Sequence, residues 1–317
     1  MMLFAPHHSV AFARAVADSL GISLSAAEER EFGGGEHKMR PLVDVQDQDI
    51  CIVQSLCGDV QASANDKLCR LLFFIGALKD AGAARITAAV PYLAYARKDR
   101  RTQPKDPVTS RYVAQLFEAV GVDCVIVLDV HNEAAFDNAF RCRTVRIEAA
   151  STFATALAPQ TGERPLVVAS PDIGGVKRAQ RLRDAIAQQM AHPIDFAFVE
   201  KHREGGVVSG DALVGPVAGR DVVFYDDMIV SGTTIVRAAQ AARRAGAIRV
   251  HVAASHAAFV QSALALFEGG LIDTVLVSDS IELAAEFAPF VGRQLKICSV
   301  APLFARIIAK LGKNGAG

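Results

Sequence analysis

Short runs of Val, Ile, Leu and Ala recur along the chain, and several follow a helix-like stretch that stops at a glycine. Two such blocks occur twice. Ala77–Tyr92, with Gly82 and Arg85, aligns with Ala241–His256, with Gly246 and Arg249. Each reads as a helix end, a glycine stop and then a buried strand. Leu116–Asp129 likewise aligns with Leu266–Asp279. The first pair is offset by 164 residues (Gly82 to Gly246) and the second by 150 (Asp123 to Asp273), so the first copy carries 14 more residues between its blocks. Helix–glycine–strand units also resemble one another by chance, but the same order in both halves favours a duplication. Apolar strands alternating with helices predict an α/β fold of two tandem domains, each a mainly parallel sheet covered by helices. The expected domains are 1–147 and 148–317. The amphipathic stretch Pro302–Leu311 predicts a last helix whose docking the pattern does not reveal.

One run is followed by unusual chemistry. Val222–Tyr225 predicts a buried strand running into Asp226 and Asp227, then a loop of small and hydroxyl residues, and a helix from about Ile235. The start of a helix leaves backbone N–H groups without intrahelical partners, and the positive end of its dipole lies there. With Ser231, Gly232, Thr233 and Thr234, the loop reads as a phosphate cradle. The two acids would then meet the hydroxyls of a sugar 5-phosphate or a hydrated Mg²⁺. An ordinary polar turn is the plainer reading, but adjacent acids ahead of a hydroxyl-rich turn have no packing purpose.

In open parallel sheets ligands sit beyond the carboxyl ends of the strands, which singles out Tyr92, Asp129 with His131, Asp172 and Asp226. The 14-residue surplus falls at Tyr95–Pro107, where Arg97, Lys98, Arg100, Arg101 and Lys105 crowd into nine positions. Such a run is often a solvated loop. Here it follows a strand end, and a polyphosphate would need that density of cations. No Gly-x-x-x-x-Gly-Lys-Ser/Thr is present, so a nucleoside triphosphate would not be held by a P-loop. Glu200–Glu204 reads by composition as a surface loop, and a lone histidine such as His131 as a structural hydrogen-bonder. His7, His8, His37, His192, His251 and His256 lack partners at ligand spacing and read as solvated or core residues.

Composition narrows the class. At 317 residues and 51% apolar, the chain suits two cores. The 34 basic and 34 acidic residues cancel, leaving no overall field for nucleic acid or an anionic membrane. No apolar run reaches the roughly 20 residues needed to span a bilayer. Six cysteines without a CxxC pair read as reduced thiols, and a cytoplasmic enzyme is the expectation.

The loop after Asp226-Asp227 resembles the ribose-5-phosphate loop of type I phosphoribosyltransferases, with Val230 and Ser231-Gly232-Thr233-Thr234 where that fold carries a further acid and Thr-Gly-Gly-Thr. A more specific likeness covers nearly the whole chain. Pro91–Arg101, Leu128-Asp129-Val130-His131, Ser170–Gly175 and Asp226-Asp227 resemble the motifs of the ribose-phosphate diphosphokinase family, which makes phosphoribosyl pyrophosphate (PRPP). The resemblance implies two phosphoribosyltransferase-like domains and transfer of the pyrophosphoryl group of Mg-ATP to ribose 5-phosphate, giving PRPP and AMP. It implies that Phe32, Gly34 and Glu36 lie in an adenine-binding loop lent by a neighbouring subunit, in a homo-oligomer. The family's usual Asp or Asn is Gly34 here. Arg97, Lys98, Arg100, Arg101 and Lys105 would meet ATP, and His131 and Asp172 would ligate Mg²⁺. Asp226, Asp227, Ser231, Gly232, Thr233 and Thr234 would hold ribose 5-phosphate. Lys201 and Arg203 match the family's mobile catalytic loop, which Gly205-Gly206 follows. The Ser-x-Arg of the family's allosteric anion site aligns with Asp44-Val45-Gln46, so control by phosphate or ADP is expected to be absent. A phosphoribosyltransferase that consumes PRPP and a non-catalytic regulatory homologue are the competing readings. The duplication opposes the first, and the presence of Lys201, Arg203, His131 and Asp172 opposes the second.

Overall fold

Continuous apolar runs form the central strands of two parallel sheets. The computed structural model describes residues 1–161, 164–190, 193–204 and 207–313, with backbone alone at 160–161, 201–204, 207–211 and 313. The chain divides into two units, Met1–Ile147 with Val300–Gly317, and Glu148–Ser299.

In the first unit β1 (Met2–Phe4) leads through α1 (Val10–Leu20) to an antiparallel hairpin of β2 (Ala27–Glu31) and β3 (His37–Pro41). Then follow β4 (Asp49–Val53), α2 (Ala64–Asp80), β5 (Arg85–Val90), α3 (Thr109–Ala119), β6 (Cys124–Leu128), α4 (Glu133–Ala139) and β7 (Arg143–Ile147). The sheet runs β1-β4-β5-β6-β7 with every pairing parallel. Its helices cover a core that includes Phe4, Ile52, Leu71, Phe74, Val90 and Phe117. Ser63 caps α2 by accepting from the Asp66 amide at 3.2 Å, and Asp66 answers by accepting from the Ser63 amide at 2.8 Å.

The second unit comprises α5 (Ala150–Thr161), β8 (Leu166–Ser170), α6 (Val176–Met190), β9 (Asp195–Glu204), β10 (Val207–Val214), β11 (Asp221–Ile229), α7 (Thr233–Arg244), β12 (Arg249–Ala257), β13 (Thr274–Ser278) and β14 (Leu295–Cys298). Its order is β10-β9-β8-β11-β12-β13-β14, and β10 is the antiparallel edge strand. Five strands, β8-β11-β12-β13-β14, repeat the order of the first sheet. In both copies a hairpin enters at the same place in the chain, between the first helix and the second central strand. In the first unit it is β2–β3, a separate ribbon, and in the second it is β9–β10, which extends the sheet. The copies differ where Leu116 and Phe117 occupy α3, because Leu266 instead ends a 3₁₀ turn, Gln261–Leu266.

Three expectations are corrected. The strand that carries the acids does not end at Tyr225: β11 continues to Ile229, because β12 pairs with it as far as Ile229↔Ala257. The helix that follows begins at Thr233, earlier than Ile235. The last helix, α8 (Ala301–Lys313), belongs to the first unit, so the domain expected at 148–317 stops short of it. Its Phe304 ring meets Phe12 of α1 edge-on, with 5.5 Å between centroids, and Arg85 of β5 donates to the Leu311 carbonyl at 3.1 Å. Phe304 and Ile308 are fully buried there, and that apolar burial fixes where the helix docks.

Candidate active site

In the second unit the acids stand on β11 beyond the end of a neighbour. The β8 register reaches only Phe224↔Ala169, while β12 accompanies β11 past Asp226. Asp226 and Asp227 therefore occupy the carboxyl edge where one partner strand has stopped. Arg178 of α6 places one guanidinium nitrogen 3.2 Å from a carboxylate oxygen of each acid. The Asp227 amide donates to Asp226 Oδ1 at 2.8 Å. Side-chain exposure is 15% for Arg178 and 6% for Asp227. Among the described residues, Arg178 is thus set between the two carboxylates. Burial, and then the neighbouring Asp227, push the Asp226 carboxyl up to about 8 despite Arg178. Two adjacent oxygen-donor acids suit a hard divalent cation or sugar hydroxyls.

After β11 the chain turns through Val230-Ser231-Gly232 into α7. Gly232 is the N-cap with φ +75°, and a Cβ on it would stand 2.9 Å from Leu266 Cγ, so both backbone and space call for glycine. The first turn of α7 contains no acid to offset its positive end. Ser231 Oγ lies 3.1 Å from Thr233 Oγ1, and Ser231, Thr233 and Thr234 are exposed around the helix start. Hydroxyls and amides thus meet at one helix N-terminus, an arrangement that accepts a phosphate.

Asp172 follows β8. Its Oδ1 accepts the Gly175 amide at 3.0 Å, and its carbonyl accepts the Ser170 hydroxyl at 2.6 Å. The turn delivers the chain into α6, three residues before Arg178. Lys201 and Arg203 occupy alternate positions of β9, in backbone register with Asp211 and Val208 of β10. Their side chains, and Gly205, Gly206 and His192, lie outside the described residues. The backbone at Lys201 and Arg203 is extended strand, where an irregular loop had been expected, because β10 returns alongside β9.

In the first unit the cationic run lies in an irregular segment between β5 and α3, anchored by buried Leu93 and Ala94. Arg97, Lys98, Arg100, Arg101 and Lys105 are all exposed. Asp106 ties the tip by accepting from the Thr102 hydroxyl at 2.7 Å and the Gln103 amide at 2.9 Å. Asn132, the N-cap of α4, donates to Asp99 at 2.6 Å, which fastens the cationic segment to the loop carrying His131. Asp129, two residues before His131, has φ +34°, an unusual conformation for a side chain other than glycine. Exposed Phe32, Gly34 and Glu36 form the tip of the β2–β3 hairpin, where the Phe32 amide donates to the Glu36 carbonyl at 2.8 Å.

His131 belongs to the first unit and Asp172 to the second. Among the described residues no three His, Cys, Asp or Glu side chains gather at metal-ligand spacing. Mg²⁺ needs few protein ligands, so the oxygen donors of Asp172, Asp226 and Asp227 still fit it. Sequence reasoning missed Arg178, a helical arginine separated from the acids by 48 residues and lacking any local signal. It also left His7, His8 and His37 without roles, although all three stand against carboxylates of the hairpin or of the segment before α2.

Comparison with known proteins places this geometry. Residues 1–121 match the N-terminal domain of ribose phosphate pyrophosphokinase, and residues 207–315 match a phosphoribosyl synthetase-associated domain. Ribose-phosphate pyrophosphokinase of Vibrio parahaemolyticus is 38% identical over 290 residues, 91% of this chain and 89% of that protein. The protein of the same name from Wolinella succinogenes is 34% identical over 304 residues, 96% of this chain and 93% of that one. The crystal structure of phosphoribosylpyrophosphate synthetase from Mycobacterium smegmatis superposes with TM-score 0.88 at 29% identity, over 99% of both chains. The chain belongs to the ribose-phosphate pyrophosphokinase family, the diphosphokinase family that its motifs resemble.

Proposed function

We propose that the protein transfers the pyrophosphoryl group of Mg-ATP to O1 of ribose 5-phosphate, giving PRPP and AMP. The observation that carries this reading is the acid pair on the overhanging end of β11, directly ahead of the glycine-capped start of α7. That spacing suits a sugar 5-phosphate, with its phosphate on Ser231, Gly232, Thr233, Thr234 and the first amides of α7. Its ring hydroxyls would lie against Asp226 and Asp227. Arg178 sets the two carboxylates side by side.

In the reaction O1 of the sugar releases its proton to solvent and bonds to the β-phosphorus of ATP, the bond from that phosphorus to the α-phosphate bridging oxygen breaks, and AMP leaves. Charge shifts onto phosphoryl oxygens, so cations and in-line placement supply most of the rate. Lys201 and Arg203 are assigned to that charge. Arg97, Lys98, Arg100, Arg101 and Lys105 are assigned to the triphosphate, and Phe32, Gly34 and Glu36 to adenine, with the hairpin lent by a second copy in a homo-oligomer. Mg²⁺ would be held by His131 and Asp172 and, when bound, neutralises phosphate oxygens.

Asp44-Val45-Gln46 supports the absence of phosphate activation and of allosteric ADP inhibition. Asp44 accepts the Gln46 amide at 3.0 Å, so a carboxylate replaces the serine of the anion site while neutral Gln46 replaces its arginine. We place the enzyme in the cytoplasm; no helix among the described residues is long and apolar enough to cross a membrane. Purified protein incubated with ATP, Mg²⁺ and ribose 5-phosphate should yield equal amounts of AMP and PRPP, at a rate that added phosphate does not raise. Absence of PRPP would overturn the activity. Strong phosphate dependence would overturn the regulatory reading.

A further inference from the structure

We infer that Glu29 is a positioning residue for ATP, a clasp that holds the β2–β3 hairpin, and with it Phe32 and Glu36, against the body of its unit. The inference rests on the reading that the hairpin tip meets adenine. A two-stranded ribbon outside a larger sheet has little stability of its own, and this one hydrogen-bonds as a separate sheet. Alternation gives it two faces. On one, Glu28 pairs with Arg30 and Arg40. On the other stand Glu29 and Glu31, with His37 and the buried Met39 across from them. Carboxylates on an inward face are costly unless paired.

Glu29 is paired on both oxygens. Its Oε2 lies 2.7 Å from His7 Nδ1 and accepts the His7 amide at 2.8 Å. Its Oε1 lies 2.8 Å from His37 Nε2. The Glu29 and His37 side chains are only 6% and 5% exposed. One carboxylate therefore joins the turn before α1 to the first residue of β3, directly after the tip. Glu31 adds a second tie, to Arg70 of α2 at 2.7 Å, and Arg70 in turn lies 3.4 Å from His8 Nε2. His8 reaches Asp59 at 3.4 Å, and Lys67 meets the same acid at 2.6 Å. The row of polar contacts runs along the base of the hairpin, and Glu29, His37 and Lys67 are its enclosed members, at 5–6% side-chain exposure. None of these groups is assigned to a substrate, so their effect on the reaction acts through the tip they carry.

Steady-state kinetics on the full-length Glu29→Gln variant would test this, with Phe32→Ala as a marker of the tip and His7→Ala as a milder variant. His7 is largely exposed, so its removal spares the fold while taking one contact from the clasp. Phe32→Ala and Glu29→Gln should each raise KM for ATP by about tenfold, equivalent to losing about 1.4 kcal/mol of binding. His7→Ala should raise it by about threefold, and kcat and KM for ribose 5-phosphate should stay at wild-type values in the two clasp variants. Amide exchange across 27–41 should accelerate in Glu29→Gln while β4 and β5 remain protected. If Phe32→Ala raises KM for ATP but both clasp variants leave KM and exchange unchanged, the clasp is overturned. If Glu29→Gln weakens both substrates alike, its role is general stability and the inference is overturned as well. If Phe32→Ala changes nothing, the adenine reading of the tip falls, and exchange in 27–41 still decides whether Glu29 holds the hairpin.

Discussion

Arg178 lets Asp226 and Asp227 stand together, but it does not offset the cost of burying two adjacent acids. The consequence is a titration. The Asp226 carboxyl is held up at about 8, against an ordinary value of 3.8, by burial and by Asp227. Between those pH values the folded chain keeps a proton that the unfolded chain has released, so this group opposes folding more and more as pH rises from about 4 to 8. Asp226→Asn lacks that dependence and should gain stability relative to wild type across the window. Denaturant melts of both proteins at pH 5 and pH 8 measure it, and a constant difference would contradict the account. At Lys201 and Arg203 the expectation is kinetic. Alanine at either should lower kcat by about 10²-fold with ATP binding nearly intact, because their cations are assigned to charge that develops in the transition state. Wild-type kcat with weakened ATP binding would remove them from catalysis.

Among elements, the β11–α7 junction depends on one backbone conformation. Gly232→Ala adds a Cβ at φ +75° against Leu266 and should cost about 1–2 kcal/mol of stability. It should also raise KM for ribose 5-phosphate more than KM for ATP, since the amides of α7 move with it; thermal melts and initial rates would show both. Parts of this element scale were legible in the sequence for physical reasons. Gly82 and Gly246 stop α2 and α7 where local conformation alone decides, and the apolar runs of β5, β6, β12 and β13 need no partner to be recognised. The end of β11 was illegible because its last residues are strand only by pairing with β12, a contact set by residues about 28 positions away. The same holds for the pairing of β9 with β10, which turned an expected loop at Lys201 and Arg203 into strand. His7 and His37 looked idle because their carboxylate is 22 residues from the first and 8 from the second.

For the whole molecule, the duplication and the α/β class were readable from the order of repeated blocks, while the destination of α8 was not. An amphipathic helix announces a buried face but not its partner. Phe304 and Ile308 could have closed either unit, and they close the first. A fragment of residues 1–147 should therefore bind a hydrophobic dye and melt without a cooperative transition, because Phe12 of α1 loses the Phe304 ring packed against it. A fragment of 148–299 should melt cooperatively; if 1–147 does so equally well, α8 is dispensable to its unit. The return of α8 also sets an order of events during synthesis. Translation usually lets an N-terminal domain finish before the next emerges. Here the first unit waits for a helix that is made only after all of the second, a delay of roughly 8 to 30 s at about 5–20 residues per second. The unit made second is the first to be complete, and until then the apolar face of α1 is left for chaperones to cover.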